Sequence, residues 1–565
     1  MVVGDDLGVD MVGAYGVGTD RPPTPNLDSL AARGVLFANA WSNPVCSPTR
    51  ATLQTGRYSF RTGIGMGVPC LTTPYGLPDK EVTLAEMLQF STTGTYATAA
   101  IGKWHLSTNS ENNLLLAPNL QGYSHYEGHL CGEVGDYYNW LKTTNGQNSQ
   151  VHEYATIHNT NAALQWIANA TEPWLCYVSY NNPHSPFHAP PPSLHTTDLS
   201  GAPPPSVDPR PYYKAQVEAM DTEIGRLLSE LGPKLGRTDV FFVGDNGTPG
   251  TVIRSPFIET HGKGTVYQGG IHVPLIVAGP SVKRLGTCEA LVGTVDLFST
   301  IAEIAGVKVD ELPIPDRQLD SVSMLPYLKD PATVSIRKSI LAETFGQNGA
   351  DAGLRTCPPG MNVCQPDIGY SGPGQSRLEV CGQPLYAQNH ASLRLTGAPL
   401  NAPALFYVAA DLLPRPMFGG IVAPLPDFNP AIVFTDANGE YAIPNLSLLD
   451  YYGYILFQNK KIVYLQFVTL DPPKRDRFSI SNTVAIQLPG WNLKAVRGER
   501  YKLIADVTGG PIEFYDLQID PYESDDLLLR SLSPTEQDRF NALWTELTST
   551  LDPNLPGACV PHYGP

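Results

Sequence analysis

The chain is 565 residues long, too long for one compact domain and long enough for two or three. Hydrophobic residues make up 42% and charged residues only 16%, the balance of a globular chain rather than a disordered one. With 37 basic against 54 acidic residues the net charge is −17, which excludes a general nucleic-acid binder. No apolar run reaches the roughly 18 residues of a transmembrane helix.

Met1-Val2-Val3-Gly4 runs straight into Asp5-Asp6, without the basic, apolar and cleavage segments of a signal peptide. The 9 cysteines are an odd count with no CxxC zinc pair, and the arithmetic suggests eight structural cysteines plus one reserved for chemistry. Disulfides would place the protein in an oxidising compartment, periplasmic or secreted.

Up to about residue 345 short apolar runs alternate with longer amphipathic stretches, which predicts an α/β sheet with helices on both faces. In chain order, helices are expected at Thr24–Arg33, Ser47–Thr55, Val82–Gln89, Tyr154–Ala170, Tyr213–Leu231 and Leu291–Ala305. The clearest strands are Thr95–Ile101, Trp174–Tyr180, Asp239–Val243 and Pro274–Ala278. From 351 to 488 the character changes to short β-rich runs separated by turn signals such as Asp436-Ala437-Asn438-Gly439, the spacing of a β-sandwich. These runs are Arg377–Cys381, Ser392–Leu395, Ala404–Ala409, Ala431–Thr435, Tyr454–Gln458 and Ile462–Val468, with Cys357, Cys364 and Cys381 at the entrance. A hairpin over Lys494–Ala505, a strand at Glu513–Leu517 and a helix near Pro534–Thr550 follow. The expected organisation is a catalytic domain over 1–337 and a smaller α+β subdomain from 338–350 and 489–565. An all-β sandwich, 351–488, interrupts that subdomain.

The strands of the first half end in polar clusters. Val2-Val3 leads to Asp5-Asp6, the second strand to Gly102-Lys103-Trp104-His105, the third to Asn181-Asn182-Pro183-His184, and the fourth to Gly244-Asp245-Asn246-Gly247. Taken singly these are helix caps, turns or structural histidines. Together they deliver both signs of charge to the carboxyl edge of one sheet, where open α/β sheets bind ligands. The carboxylates and Asn246 are hard oxygen donors suited to Ca²⁺ or Mg²⁺. Lys103, His105, His184 and Lys263 add cationic or proton-donating groups, a set that suits an anionic sulfate or phosphate.

Between Pro44 and Arg57 the chain reads PVCSPTRATLQTGR, with Pro48 near the first helical position and Gly56 at the end of a short helix. Cys46 then stands at the positive helix N-terminus, and Arg50, at i+4, projects on the same side. This Cys-x-Pro-x-Arg segment resembles the signature of the sulfatase family. The resemblance continues through Thr24–Asp28, Gly102–Leu106, Gly244–Gly247, Gly262–Thr265 and Gly269–Pro274, and in the late segments Ala495–Ile504 and Tyr515–Glu523.

The resemblance implies an alkaline-phosphatase-like mixed sheet sandwiched by helices and the oxidation of Cys46 to Cα-formylglycine by a formylglycine-generating enzyme. One hydroxyl of the hydrated aldehyde would attack sulfur, and deprotonating the second would re-form the aldehyde and expel sulfate. It also implies that Asp5, Asp6, Asp245, Asn246 and the modified Cys46 bind one divalent cation, Ca²⁺ or else Mg²⁺. Asp245 would help deprotonate the attacking hydroxyl, Arg50 and Lys103 would steady the hydrate, and His105 would accept the later proton. His184 and Lys263 would hold the sulfate and assist the leaving alcohol, with Asn182 and His188 lining the mouth. The family's usual Glu and Arg are replaced here by Gln268 and His272. The expected substrate is a sulfated small molecule or glycan. A phosphodiesterase or phosphonate hydrolase on the same scaffold is the alternative, as is a sulfatase whose β-domain binds polysaccharide.

Overall fold

The computed structural model describes residues 1–69, 76–107, 114–345, 376–382, 391–409, 412–417, 420–424, 431–446, 462–470, 478–481, 484–487, 493–506 and 513–550. The chain forms two compact units. The first comprises Met1–Gly353, Lys494–Ile504 and Glu513–Asp552, and the second Leu354–Leu493, Ala505–Ile512 and Pro553–Pro565.

In the first unit a ten-stranded mixed sheet runs in the order β10-β2-β9-β8-β1-β7-β3-β4-β5-β6. Its central members are β1 (Val2–Gly4), β2 (Val35–Trp41), β3 (Ala97–Gly102), β7 (Trp174–Ser179), β8 (Val240–Gly244) and β9 (Leu275–Ala278). The outer members are β4 (His125–Gly128), β5 (Trp140–Thr144), β6 (Gln147–Val151) and β10 (Gly286–Gly293). Strand β1 is parallel to β7 and β8, with Val2 opposite Val178 and Phe242, and β3 is parallel to β7. Their carboxyl ends therefore share one edge.

Alternation along the strands feeds two cores. Val3, Ala100, Leu175, Tyr177 and Val243 face one layer, with Ala51, Leu297 and Phe298 packed against them. Val2, Ala99, Ile101, Cys176, Val178 and Phe242 face the other, with Leu27, Ala163, Val217 and Met220. The helices concerned are α1 (Pro25–Ala32), α2 (Cys46–Thr55), α3 (Ala155–Asn169), α4 (Arg210–Glu230) and α5 (Leu297–Ile304).

Two expectations need correction. The helix expected at Leu291–Ala305 begins only at Leu297, because Leu291–Gly293 pair with Asn39–Trp41 as the end of the edge strand β10. The cysteine arithmetic also fails, since Cys46, Cys176 and Cys288 are all free and buried. Cys176 and Cys288 fill core positions as small apolar side chains. Cys131 is disulfide-bonded.

A four-stranded sheet of Ile340–Thr344, Leu493–Arg497, Tyr501–Asp506 and Glu513–Asp516 completes the first unit, with a helix over Pro534–Thr550. The second unit contains a sheet of Arg377–Gly382, Ala391–Thr396 and Tyr441–Leu446. A larger antiparallel sheet is built on Pro403–Ala409 and Ile462–Leu470, where Phe406 stacks on Phe467 at 4.5 Å. The strand expected at Tyr454–Gln458, and Cys357 and Cys364, lie outside the described residues.

Candidate active site

Four loops leave the carboxyl ends of β1, β3, β7 and β8 and are stitched together by backbone hydrogen bonds. Asp5 N donates to Asn182 O at 3.1 Å, Lys103 N to Ser179 O at 2.9 Å, and Asp245 N to Gly4 O at 3.0 Å. The approach of β3 to β7 is so close that a Cβ on Gly102, whose φ is 91°, would lie 2.0 Å from Ser179 O. Asp6 and His105 adopt left-handed backbone at φ 63° and 59°, an unfavourable conformation for non-glycine residues that turns both side chains into the site.

Cys46 is the first residue of α2, all ten residues of which are buried, and Gly56 closes the helix in the left-handed region. Its Sγ lies 3.1 Å from His105 Nδ1. His105 Nε2 lies 3.0 Å from Val68 O, and since a carbonyl only accepts, Nε2 carries the proton and Nδ1 presents a lone pair to Cys46. Ser47 fixes this arrangement, donating to His105 O at 2.8 Å while accepting from Val68 N at 3.0 Å. Burial, then the charges of Lys103 and Arg50, hold His105 well below the ordinary imidazole range. Burial raises the Cys46 thiol above its usual value, against the pull of Lys103 and Lys263.

Each acid faces a cation. Lys103 Nζ lies 2.6 Å from Asp5 Oδ2, Arg50 NH2 lies 2.7 Å from Asp245 Oδ2, and Lys263 Nζ lies 2.6 Å from Asp6 Oδ1. Arg50 also donates to Lys103 O at 3.1 Å and Ser179 Oγ at 2.5 Å. Burial raises Asp5, helped by the nearby Asp245 and Asp6 charges and opposed by Lys103. Burial also acts to raise Asp6, but Lys263, His184 and Lys103 outweigh it and the carboxyl ends lowered. His184 Nε2 stands 3.8 Å from Asp6 Oδ2. Burial, followed by Lys263, pushes His184 down to about 3, so it is neutral at pH 7. The side chains of His184 and Lys263 retain 13% and 22% exposure while those of Asp5, Arg50, Lys103 and Asp245 retain at most 1%, so the former pair form the more open side of the cluster.

The donor set passes a test of fit for a hard cation. Asp5 Oδ1 and Asn246 Oδ1 are buried without a hydrogen-bond partner, a cost that a cation would remove. Asp5, Asp6 and His184 bring ligand atoms within 4.8 Å of one another. Asp245 is linked to them through Asp6 N, which donates to Asp245 Oδ1 at 3.0 Å, and Asn246 Nδ2 donates to Asp6 Oδ1 at 2.8 Å. All the residues singled out in the sequence for catalysis and metal binding thus converge on one edge.

Asn182 does not line a mouth. It is fully buried and its amide is held by Thr156, Tyr154 and Gln216 O at 2.6, 3.0 and 3.2 Å. His188 packs on Tyr137 with ring centroids 4.3 Å apart. Gln268 accepts from Trp41 Nε1 at 3.0 Å and His272 Nε2 lies 2.8 Å from Ala38 O, so both substituted positions serve packing. Sequence reasoning missed Ser47, Val68, Tyr177 and Ser179, which position His105 and Arg50. The period of two along β7, which places Tyr177 and Ser179 on one face, is a signal for the last two.

Comparison with known proteins agrees with this geometry. The family model described as Sulfatase matches residues 1–307. Mouse arylsulfatase J is 30% identical over 343 residues, covering 56% of this chain and 53% of that protein. Human N-acetylgalactosamine-6-sulfatase is 29% identical over 398 residues, covering 61% of this chain and 69% of the relative. The chain thus spans about half the length of the first relative. Among solved structures, Ps i-CgsB in complex with k-i-k-neocarrahexaose has a TM-score of 0.60 at 19% identity, covering 99% of this chain and 94% of that one. BT4656 in complex with D-glucosamine-2-N,6-O-disulfate has a TM-score of 0.57 at 17% identity, covering 98% of both chains. These likenesses establish the α/β fold, with its alkaline-phosphatase-like sheet. With the family match extending over more than half of its length, the chain belongs to the sulfatase family.

Proposed function

We propose that this protein hydrolyses a sulfate monoester of an aryl alcohol or a carbohydrate, using Cys46 after its oxidation to Cα-formylglycine. The observation that carries the reading is Cys46 at the buried N-terminus of α2, 3.1 Å from a histidine whose free lone pair faces it. Cys46 Sγ stands in for the hydroxyl oxygens of the hydrated aldehyde, which supplies one hydroxyl to attack sulfur and a second whose deprotonation expels sulfate. Asp5, Asp6, Asp245, Asn246 and modified Cys46 would hold Ca²⁺, or Mg²⁺ in its place, which when bound stabilises negative charge on the sulfate oxygens.

The chain's own groups then divide the work. Arg50 fixes Asp245, which draws the proton from the attacking hydroxyl. Lys103, clamped between Asp5 and the pocket, steadies the hydrate and the arriving sulfate. Burial acts to lower Lys263, but the charges of Asp6, Cys46 and Asp5 together with the Asp6 hydrogen bond outweigh it and keep it an ammonium, so it can donate to the departing alcohol oxygen. His184 is neutral in the free protein and binds a proton as the sulfate charge approaches its ring. His105 takes the proton of the second hydroxyl on Nδ1, the atom its bond to Val68 leaves free.

A formylglycine-generating enzyme acts during maturation in this reading. The Cys131 disulfide supports a periplasmic or secreted setting, and no helix of the described residues is long and apolar enough to cross a membrane. The β-rich block 351–488 is read as an inserted sandwich domain. The test is kcat/KM for matched aryl sulfate, phosphate diester and phosphonate substrates. The sulfate ester should be preferred. Preference for a phosphorus ester by orders of magnitude would make the protein a phosphodiesterase or phosphonate hydrolase instead.

A further inference from the structure

A cavity of about 930 Å³ shares no lining residue with the active site. It is bounded by Asn39 on β2, Glu289 on β10, and the sheet and helix of the C-terminal subdomain. Its volume is that of a small-ligand pocket.

Arg497 forms part of its wall and is 7% exposed. Its NH2 donates to Asn39 Oδ1 at 2.8 Å, while Nε and NH1 have no hydrogen-bond partner. A buried guanidinium with unmet donors is costly unless something supplies acceptors. The buried carboxylate whose charge acts most on it, Glu523, is already engaged by Lys502 and by Gln268 N at 2.6 Å. His272, a third basic group in the same neighbourhood, is pushed down to about 4 by burial and then by the Arg497 charge. Two buried basic side chains, Arg497 and Lys502, both held below their usual range by burial, therefore share one buried carboxylate. Three carboxylates line the cavity wall, Glu289, Glu499 and Glu546, of which Glu499 is exposed and Glu289 acts on Arg497 only through its charge. Glu546 accepts from Ser339 at 2.8 Å and Glu289 from Asn39 at 3.4 Å, and among the described residues none forms an ion pair with Arg497. Lys338 and Arg539, both exposed, line the same space, whereas Arg500 is held by Asp516.

We infer that this cavity is a second anion site, in which an oxyanion, either free sulfate or a sulfate carried on a sugar, completes the donor set of Arg497 beside Lys338 and Arg539. The contact is a charge-assisted one of the kind guanidinium groups make with sulfate-like acceptors. Binding there needs no turnover, so its failure and the failure of the hydrolase reading are separate results.

Equilibrium dialysis of the full chain against radiolabelled inorganic sulfate counts the sites. Two sites per chain are expected, one in each pocket. Arg497→Gln is expected to weaken one of them by about ten-fold or more, the scale of a lost charge-assisted contact, and to leave kcat and KM for a small aryl sulfate unchanged. If that variant does not fold, the exposed pair Lys338→Ala and Arg539→Ala should weaken the same site. Displacement of the label from this site by a sulfated disaccharide supports a sugar-borne ligand, and retention of the label supports the free anion. The absence of any sulfate site that these variants weaken, whether or not the active site holds sulfate, overturns the inference.

Discussion

Arg50 is the side chain whose removal most directly tests how the site is held together. It is fully buried, with NH2 2.7 Å from Asp245 Oδ2 and 3.7 Å from Asp5 Oδ1. Arg50→Met keeps an unbranched apolar stem but takes the guanidinium from two buried carboxylates, of which Asp5 retains Lys103 and Asp245 loses its ion-pair partner. Breaking a buried pair in this way costs about 3–5 kcal/mol, most of it the penalty of the stranded charge. The same argument gives a metal dependence. Once Arg50 is gone, a divalent cation among Asp5, Asp6 and Asp245 meets less repulsion and replaces the missing positive charge. Its binding stabilises the folded form by mass action. The expected result is a loss of about 3–5 kcal/mol in chelator and a smaller gap in millimolar calcium. Urea unfolding followed by tryptophan fluorescence is a suitable assay, because six of the seven tryptophans lie in the first unit and report on it. A variant within about 1 kcal/mol of the parent in chelator would refute the reasoning, as would a gap that widens with calcium.

Three further outcomes follow from the same geometry. Cys46→Ser offers one hydroxyl and no second one, so it should turn over once and retain a sulfate group on residue 46, seen as the mass of one added SO₃. Steady multiple turnover by that variant would remove the need for an aldehyde. Gly132→Ala would place a Cβ 2.6 Å from the ring atoms Cε1 and Nε2 of His105. Tilting that ring should lower kcat by about ten-fold or more with KM little changed, and an unaltered kcat would mean His105 is not held there. His272 has a folded value near 4 against about 6.5 unfolded, so the unfolded chain binds its proton first as the pH falls. Stability is therefore full above about pH 6.5 and is lost as the pH drops towards 4, by about 2 kcal/mol at pH 5. His272→Gln should remove this part of the pH dependence in denaturant titrations at pH 7 and 5, and an unchanged difference would exclude it as the source.

The site was legible because its chemistry clusters in chain segments that follow strands. Asp5-Asp6, Lys103-His105 and Asp245-Asn246 each stand within three residues of a strand end, and the parallel pairing of β1 with β7 and β8 does the rest. The positioning groups were not legible for the opposite reason. Val68 acts through a backbone carbonyl, which any residue carries, and Ser47 reads as an ordinary helix-start serine. Asn182 was misplaced by adjacency, since its neighbour His184 faces the pocket while its own amide turns into the core. In the fold, β2 was missed because Val35–Trp41 lies directly between two helices, and β10 was absorbed into the helix after it. Edge strands at a sheet's limit carry a weaker alternation than the central ones, and β10 shows it in its exposed first half.

The central claim is that sulfate ester hydrolysis runs through an oxidised Cys46, and mass spectrometry of the peptide spanning Pro44–Arg57, on a preparation with measured turnover, tests it most directly. The account predicts an aldehyde at position 46, captured by a hydrazine reagent, in proportion to the active fraction. An unmodified thiol at that position throughout a sample that hydrolyses sulfate esters would contradict it.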